Sequence, residues 1–234
     1  MLRELDRNIW VAEQPLRYFG LSVGTRMSVI RLPDQSLAVI SPIELNQPLI
    51  DQLNELGTIG HIVAPNCYHY FFASDFKAHY PQATFWAAPG LKEKVPSLPV
   101  DTVIKAHNKP AGLETLLFKG FRTIGSGGVE SLNECVFFHA KSRTLILTDT
   151  AFHFDESFPF LTQFATRITG SYKALAPTLL EQLATTDRKN ARASIEKILQ
   201  WDFERVIMAH GTVIEHHGKE KLKAGYAFLL KTRR

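Results

Sequence analysis

Apolar residues fall into runs of two kinds along this chain. Near the start they form short strand-like blocks at residues 9–13, 27–32 and 37–40, and Pro33-Asp34-Gln35 joins the last two as a hairpin turn. The next segment, NQPLIDQLNELG, changes period. Leu49, Leu53 and Leu56 form a one-sided helical stripe, with Asn46 placed to cap it and Gly57 to end it. Residues 61–64 return to a strand that Pro65 stops. Residues 72–80 predict a short helix closed by Pro81, and residues 83–87 another strand. Strand, helix, strand, helix, strand is the order of a layered α/β arrangement.

The middle is richer in strands. Residues 102–105, 114–118 and 121–124 read as strands, GSGG at 125–128 as a loop, and residues 134–139 and 144–148 as strands around a turn at 140–143. In the last third, leucines 175, 179, 180 and 183 predict a helix over 172–183. Thr186 or Asp187 caps a second helix, RKNARASIEKILQW, whose Ala191, Ile195, Ile198 and Leu199 share a face. Residues 203–208 form a strand that runs into AHG, and a basic helix closes the chain. There is no tandem repeat or low-complexity tract. The order predicts a single domain over residues 1–234, built as two sheets flanked by helices; two separate domains are the alternative.

Composition narrows the classes. With 234 residues, 45% apolar, the chain can bury a large core, and sixteen phenylalanines need an interior, a pocket or an interface. This excludes a disordered or collagen-like chain. The net charge of +4 sits largely near the C-terminus, where Lys219, Lys221, Lys223, Lys231, Arg233 and Arg234 face one acid, Glu220. Leu222, Tyr226 and Leu229 or Leu230 have helical spacing there, so a solvated basic face explains the charge better than a phosphate-contacting surface. No zinc-finger or glycine-rich RNA motif gives a nucleic-acid signature. Cys67 and Cys135 make neither a disulfide framework nor a CxxC pair and fit a reducing compartment. MLRELDRNIW lacks a signal core, and no stretch approaches the roughly 20 apolar residues of a bilayer span. The expectation is a cytoplasmic protein without membrane insertion, of undetermined oligomeric state.

Three apolar runs each deliver polar residues just past their ends, where α/β sheets bind ligands. IVAPNCYHYFF presents Asn66, Tyr68, His69 and Tyr70; TLILTDTAFHF presents Asp149 and His153; RVIMAHGTVIEHH presents His210. Asp149, His153 and His210 have the donor chemistry of a nitrogen and oxygen site for a divalent transition ion. His216 and His217 are adjacent and diverge on a helix, so they read as surface groups. In EQPLRYFGLSVGTRM, Arg17 and Arg26 are candidates to bind an anion, with Glu13 as a competing ion-pair partner for them and a surface loop as the plainer reading. GSGG offers backbone donors to an anion but lacks the lysine of a nucleotide loop. Cys67, two residues from His69, is either a nucleophile or, more simply, a small buried apolar group.

IWVAEQPLRYFGLSVGTRM, IVAPNCYHYFF, TLILTD and VIMAHG together resemble the metallo-β-lactamase-like superfamily over nearly the whole chain, and within it a divergent family without an assigned function. The resemblance implies an α/β (α+β in some schemes) four-layer αββα sandwich with a metal-dependent hydrolase site between sheet ends. It also implies a first metal motif of histidine, any residue, histidine, any residue, aspartate, histidine. Here Asn66 and Tyr68 stand at the first two histidines, Tyr70 at the aspartate and Phe71 at the last histidine, while His69 falls between ligand positions. The loop TIGSGGVESLNE lacks the next expected histidine. Asp149 matches the bridging aspartate and His210 the final histidine. The resemblance therefore implies a metallo-β-lactamase-like protein without the usual dinuclear site, with no metal expected, that binds a small polar or anionic ligand. In that reading Asn66, Tyr68 and Asp149 hydrogen-bond to one another. One alternative is a hydrolase with a single zinc, manganese or iron ion on Asp149, His210 and a newcomer, His69 or His153. The other is a non-enzymatic interaction protein.

Overall fold

The structure is a computed structural model that describes residues 1–106, 108–125 and 128–231. Ser126 and Gly127 of the glycine loop, and Arg233 and Arg234 of the basic C-terminal segment, lie outside the described residues.

Side chains alternate across each strand, and here the alternation serves two cores at once. In strand Ile9–Gln14, Trp10 and Ala12 face one apolar layer while Ile9 and Val11 face another. Val39 and Ala38 of strand Leu37–Ile40 divide in the same way, as do Ile62 and Val63 of strand Ile59–Ala64. In strand Cys135–His139, Cys135 and Phe137 join the shared layer, and Val136 and Phe138 face a third one. A strand buried on both faces reads as a continuous apolar run, which is why these segments lack polar alternation.

Two sheets result. The larger has seven strands in the order Arg3–Asp6, Ile9–Gln14, Thr25–Arg31, Leu37–Ile40, Ile59–Ala64, Thr84–Ala87 and Thr102–Val103. Its first four strands pair antiparallel, and the remaining pairs are parallel. The smaller has the order Glu114–Leu117, Cys135–His139, Thr144–Ile146 and Arg205–Ile207, with only the last pair parallel. Helix Gln47–Leu56 buries Leu49 and Leu53 against the outer layer of the large sheet, and Asn46 caps it by accepting from the Leu49 N–H at 3.0 Å. Helices Arg188–Ile198 and Gly218–Gly225 cover the small sheet through Ala191, Ile195, Ile198 and Leu222. Helix, sheet, sheet, helix is the αββα sandwich that the sequence implied.

Two expectations need correction. Residues 172–183 do not form one helix. Tyr172 and Ala176 pair with Phe154 and Phe152, and Pro177, which has no N–H to donate within a helix, follows them. Only Leu179–Ala184 is helical, behind a capping box of Thr178 and Glu181. A helix that the pattern did not predict, Phe160–Thr169, precedes it and ends at Gly170 in the left-handed region (φ 92°). The basic C-terminal segment is two helices, Gly218–Gly225 and Ala227–Leu230, split at Tyr226, whose fully buried side chain packs under the small sheet.

Candidate metal centre

Strand Ile59–Ala64 ends at Pro65, and the next residue, Asn66, is fully buried. Its Oδ1 accepts from the backbone N–H groups of both Tyr68 and His69 at 2.8 Å. That side-chain turn coils the chain back on itself and swings the His69 ring inward. His69 Nδ1 lies 2.7 Å from Ser41 Oγ, and its Nε2 lies 3.2 Å from the Asp149 carboxylate. Ser41 is buried and has φ 56°, in the left-handed region that non-glycine residues seldom adopt.

The other two groups arrive from the small sheet. Strand Thr144–Ile146 runs on through Leu147 and Thr148 to Asp149, and strand Arg205–Ile207 runs on to His210. His210 Nε2 is 3.3 Å from Asp149 Oδ1, its Nδ1 is 2.5 Å from the Gly24 carbonyl, and its ring centroid is 5.1 Å from that of His69. Gly211, the next residue, lets this segment pack closely on the His153 backbone. It has φ 91°, and a Cβ there would sit 2.0 Å from the His153 carbonyl oxygen.

Burial works to raise the Asp149 carboxyl, but the charges and hydrogen bonds of His69 and His210 outweigh it and hold Asp149 far below the usual carboxylate range. Burial alone would lower His69, and the adjacent Asp149 charge raises it above its ordinary value instead. The tautomer of His210 follows from its partner. A carbonyl oxygen only accepts, so Nδ1 carries the proton donated to Gly24. Nε2 then faces a carboxylate oxygen, which is repulsive unless a proton or a cation lies between them.

Beneath this triad lies a group that sequence reasoning missed. Glu134 is fully buried, and its Oε1 accepts from the Thr148 N–H (2.9 Å) and Thr150 Oγ1 (2.7 Å). Its Oε2 accepts from Thr148 Oγ1 and the Asp149 N–H, both at 2.6 Å, and from Asn66 Nδ2 at 3.3 Å. Burial and the Asp149 charge push the Glu134 carboxyl up, while these donors pull it back toward the ionised form. Asn66 Nδ2 also donates to Asp149 Oδ2 at 2.8 Å and Thr148 Oγ1 at 2.9 Å. The available sequence signal was an acid leading an entirely buried strand, Cys135–His139, together with the hydroxyl-rich segment Thr148-Asp149-Thr150.

The remaining candidates disperse. The Tyr68 hydroxyl donates to Glu130 at 2.7 Å, and Lys94 sits over its ring, so only its backbone joins Asn66. Asn66 and Asp149 thus keep the hydrogen bond that the sequence suggested, and the Tyr68 side chain does not share it. Tyr70 stacks on Phe71 and packs against the outer layer of the large sheet. His153 points its Nδ1 at the Thr212 carbonyl, 3.2 Å away, and burial lowers its pKa. Arg17 is exposed on a small hairpin, Arg17–Tyr18 with Leu21–Ser22. Arg26 is buried; it donates to the carbonyls of Met208 (2.5 Å) and Gly211 (2.6 Å) and to Glu13 Oε1 (2.9 Å). It therefore braces the segment that carries His210. A cavity of about 300 Å³ beside it is also lined by Glu13, whose carboxylate opposes an anion there. Cys67 is buried, its thiol pushed up by burial, which suits an apolar filler. His216 is exposed and outside the cluster.

Among the described residues, one group of histidine, cysteine and acidic side chains is placed to hold a metal ion. It is His69, Asp149 and His210, whose ligand atoms lie within 4.8 Å of one another. The set is no complete metal site, and it favours the one-ion alternative over the metal-free reading, with His69 as the newcomer. It falls well short of a dinuclear centre. No helix among the described residues is long and apolar enough to cross a membrane.

Solved structures share this fold. A metallo-β-lactamase from Pontibacter korlensis superposes with a TM-score of 0.64 at 10% identity, covering 99% of both chains. One from Hirschia baltica gives 0.63 at 13% identity over 100% of this chain and 99% of its own. FIM-1 from Pseudomonas aeruginosa, in a mono-zinc form, gives 0.63 at 10% identity over 99% and 96%. At such identities the likeness establishes the architecture alone. No curated protein matches the sequence. The family described as Domain of unknown function (DUF4336) matches residues 6–169, and the chain, similar in fold to the metallo-β-lactamases, belongs to it.

Proposed function

We propose that residues 1–234 form one metallo-β-lactamase-like domain that holds a single divalent transition ion, zinc, manganese or iron, on His69, Asp149 and His210, and works as a hydrolase. The convergence of three ligand atoms within 4.8 Å carries this reading. The donor set fits such an ion. Two imidazoles and a carboxylate are one of the three-ligand sets of catalytic zinc sites, which keep a position open. Each ring is also steered from behind, His69 by Ser41 and His210 by the Gly24 carbonyl, which is how ligating histidines are oriented. FIM-1, a neighbour in fold, is itself described as a mono-zinc form.

When bound, the ion supplies Lewis acidity for hydrolysis at neutral pH. The chain supplies the placement. Asn66 occupies Asp149 Oδ2 and thereby turns Oδ1 toward His210. Glu134 fixes the backbone of Asp149 and cannot itself turn outward, since both its oxygens are occupied. Arg17, exposed on its hairpin, is the arginine available to an anionic substrate group, because Arg26 is committed to carbonyls and Glu13. Two buried free thiols, Cys67 and Cys135, suit a reducing cytoplasmic setting.

The test is metal analysis of protein equilibrated separately with zinc, manganese and iron(II), followed by desalting. The expected result is about one ion per chain for at least one metal, lost in Asp149→Ala and in His210→Ala. Protein that retains none of the three metals overturns the proposal and leaves a metal-free polar pocket.

A further inference from the structure

Helix Phe160–Thr169 is turned inside out. Thr162 and Thr166 face the protein, while Phe160 (76% exposed), Leu161 (61%), Phe164 and Ile168 (64%) face away from it. The inward threonines spend their hydroxyls locally: Thr162 Oγ1 donates to the Ser22 carbonyl and Thr166 Oγ1 to the Thr162 carbonyl. The short helix Leu179–Ala184 likewise exposes Leu179, Leu180 and Leu183. Between the two lies the Arg17–Tyr18 hairpin, with Tyr18 and Phe19 largely open. The hairpin touches the first helix through Ser22. It reaches toward the second through the Tyr18 hydroxyl on the Ile124 carbonyl and the neighbouring Thr123 hydroxyl on Glu181. From Ser22 the chain runs on to Gly24, whose carbonyl meets His210 Nδ1 at 2.5 Å, so the base of the hairpin lies beside the triad.

We infer that this face is covered by a second copy of the same chain. The nine side chains together leave on the order of 1,000 Å² of surface open, comparable with the about 800 Å² per partner of a standard interface. Its composition is largely that of an interface core, aromatic and aliphatic, with Arg167 on the first helix and Arg17 on the hairpin as exposed charges, and arginine is the charged residue interfaces favour. A helix lying on lipid would carry lysines and arginines along its polar face, whereas the polar face here is buried threonine. A two-fold axis lets one patch meet itself. Because the face adjoins the triad, the partner copy narrows the approach to Asp149. The inference does not depend on a bound metal.

Sedimentation velocity of the purified chain, over a wide concentration range and without added metal, tests this. The expected mass is twice 26.4 kDa. Phe164→Glu and, separately, Leu183→Glu should each shift the population to monomer with an unchanged circular dichroism spectrum, since both side chains lie at the surface. A wild-type chain that stays monomeric throughout overturns the inference. So does a dimer that both variants leave intact, because its interface is then elsewhere. A monomer that floats with anionic phospholipid vesicles assigns the face to a membrane instead and equally overturns it.

Discussion

Glu134 and Asp149 belong to one polar cluster and meet through the Asp149 N–H, yet they occupy opposite kinds of surroundings. Glu134 is met by backbone N–H, hydroxyl and amide donors on both oxygens and reaches no solvent. Asp149 gives one oxygen to Asn66 and faces two histidine rings with the rest of its capacity. A carboxylate whose every lone pair is answered by a fixed donor holds structure. One answered partly by groups that can exchange a proton for a metal holds chemistry. The count of committed donors, more than burial, separates the two acids.

The largest effect expected from breaking this contrast is at Glu134. Glu134→Leu leaves the Thr148 and Asp149 N–H groups buried without acceptors, and two hydroxyls and an amide must find others. The expected loss is about 3–5 kcal/mol in chemical denaturation. A loss below about 1 kcal/mol would show that water replaces the carboxylate and that the floor of the site is soft. Next is Asn66→Ala, which frees the turn N–H groups of Tyr68 and His69 and unhooks Asp149 Oδ2; about 2–3 kcal/mol is expected. Asp149→Asn should cost only about 1 kcal/mol in metal-free protein, because an amide still fills the space, yet it should abolish metal retention. Equal losses of stability at Glu134 and Asp149 would erase the distinction.

A smaller and pH-dependent effect belongs to the His69 and Asp149 pair without metal. Asp149 is lowered from 3.8, so its contribution to stability is in place above that pH and is lost as pH falls through the depressed value. His69 is raised from 6.5, so its contribution is complete below that pH and disappears as pH rises through the raised value. The stability difference between wild type and His69→Gln should therefore be largest between about pH 4 and 6.5, on the order of 1 kcal/mol, and should shrink by pH 9. A difference that grows with pH across this range contradicts the imidazolium–carboxylate pairing.

Much of the architecture was written in the apolar pattern, because strands buried on both faces must be continuously apolar and helices such as Gln47–Leu56 show their inward stripe. The pattern failed at Phe160–Thr169 for a physical reason. Its inward face is threonine and its outward face apolar, so its exposed surface mimics a core. For the site, Asp149 and His210 were legible from their places after strands. His69 was legible only as one of two newcomers, level with His153, because its ring reaches the cluster through the Asn66 side-chain turn, and a linear match of ligand positions carries no such turn. Glu134 was hidden for a related reason. Its partners are backbone N–H groups and hydroxyls, and no motif marks those.

His153 gives the finest test of how far position after a strand can be trusted. It stands four residues beyond Asp149, as polar as His210, and the sequence offered it equally as a ligand. The structure separates them by what each ring faces. His210 directs one nitrogen at a carbonyl and the other at Asp149, whereas His153 lies alongside Gly211 with its Nδ1 toward the Thr212 carbonyl and is absent from the triad. Its backbone carbonyl, which no side-chain substitution removes, is what holds Thr212 at 2.7 Å and packs on Gly211. His153→Ala should therefore leave metal stoichiometry unchanged and cost less than about 1 kcal/mol, while His210→Ala removes the ion. Loss of metal in both variants to the same degree would mean that His153 turns inward when the ion binds, and that the ligand set has four protein groups.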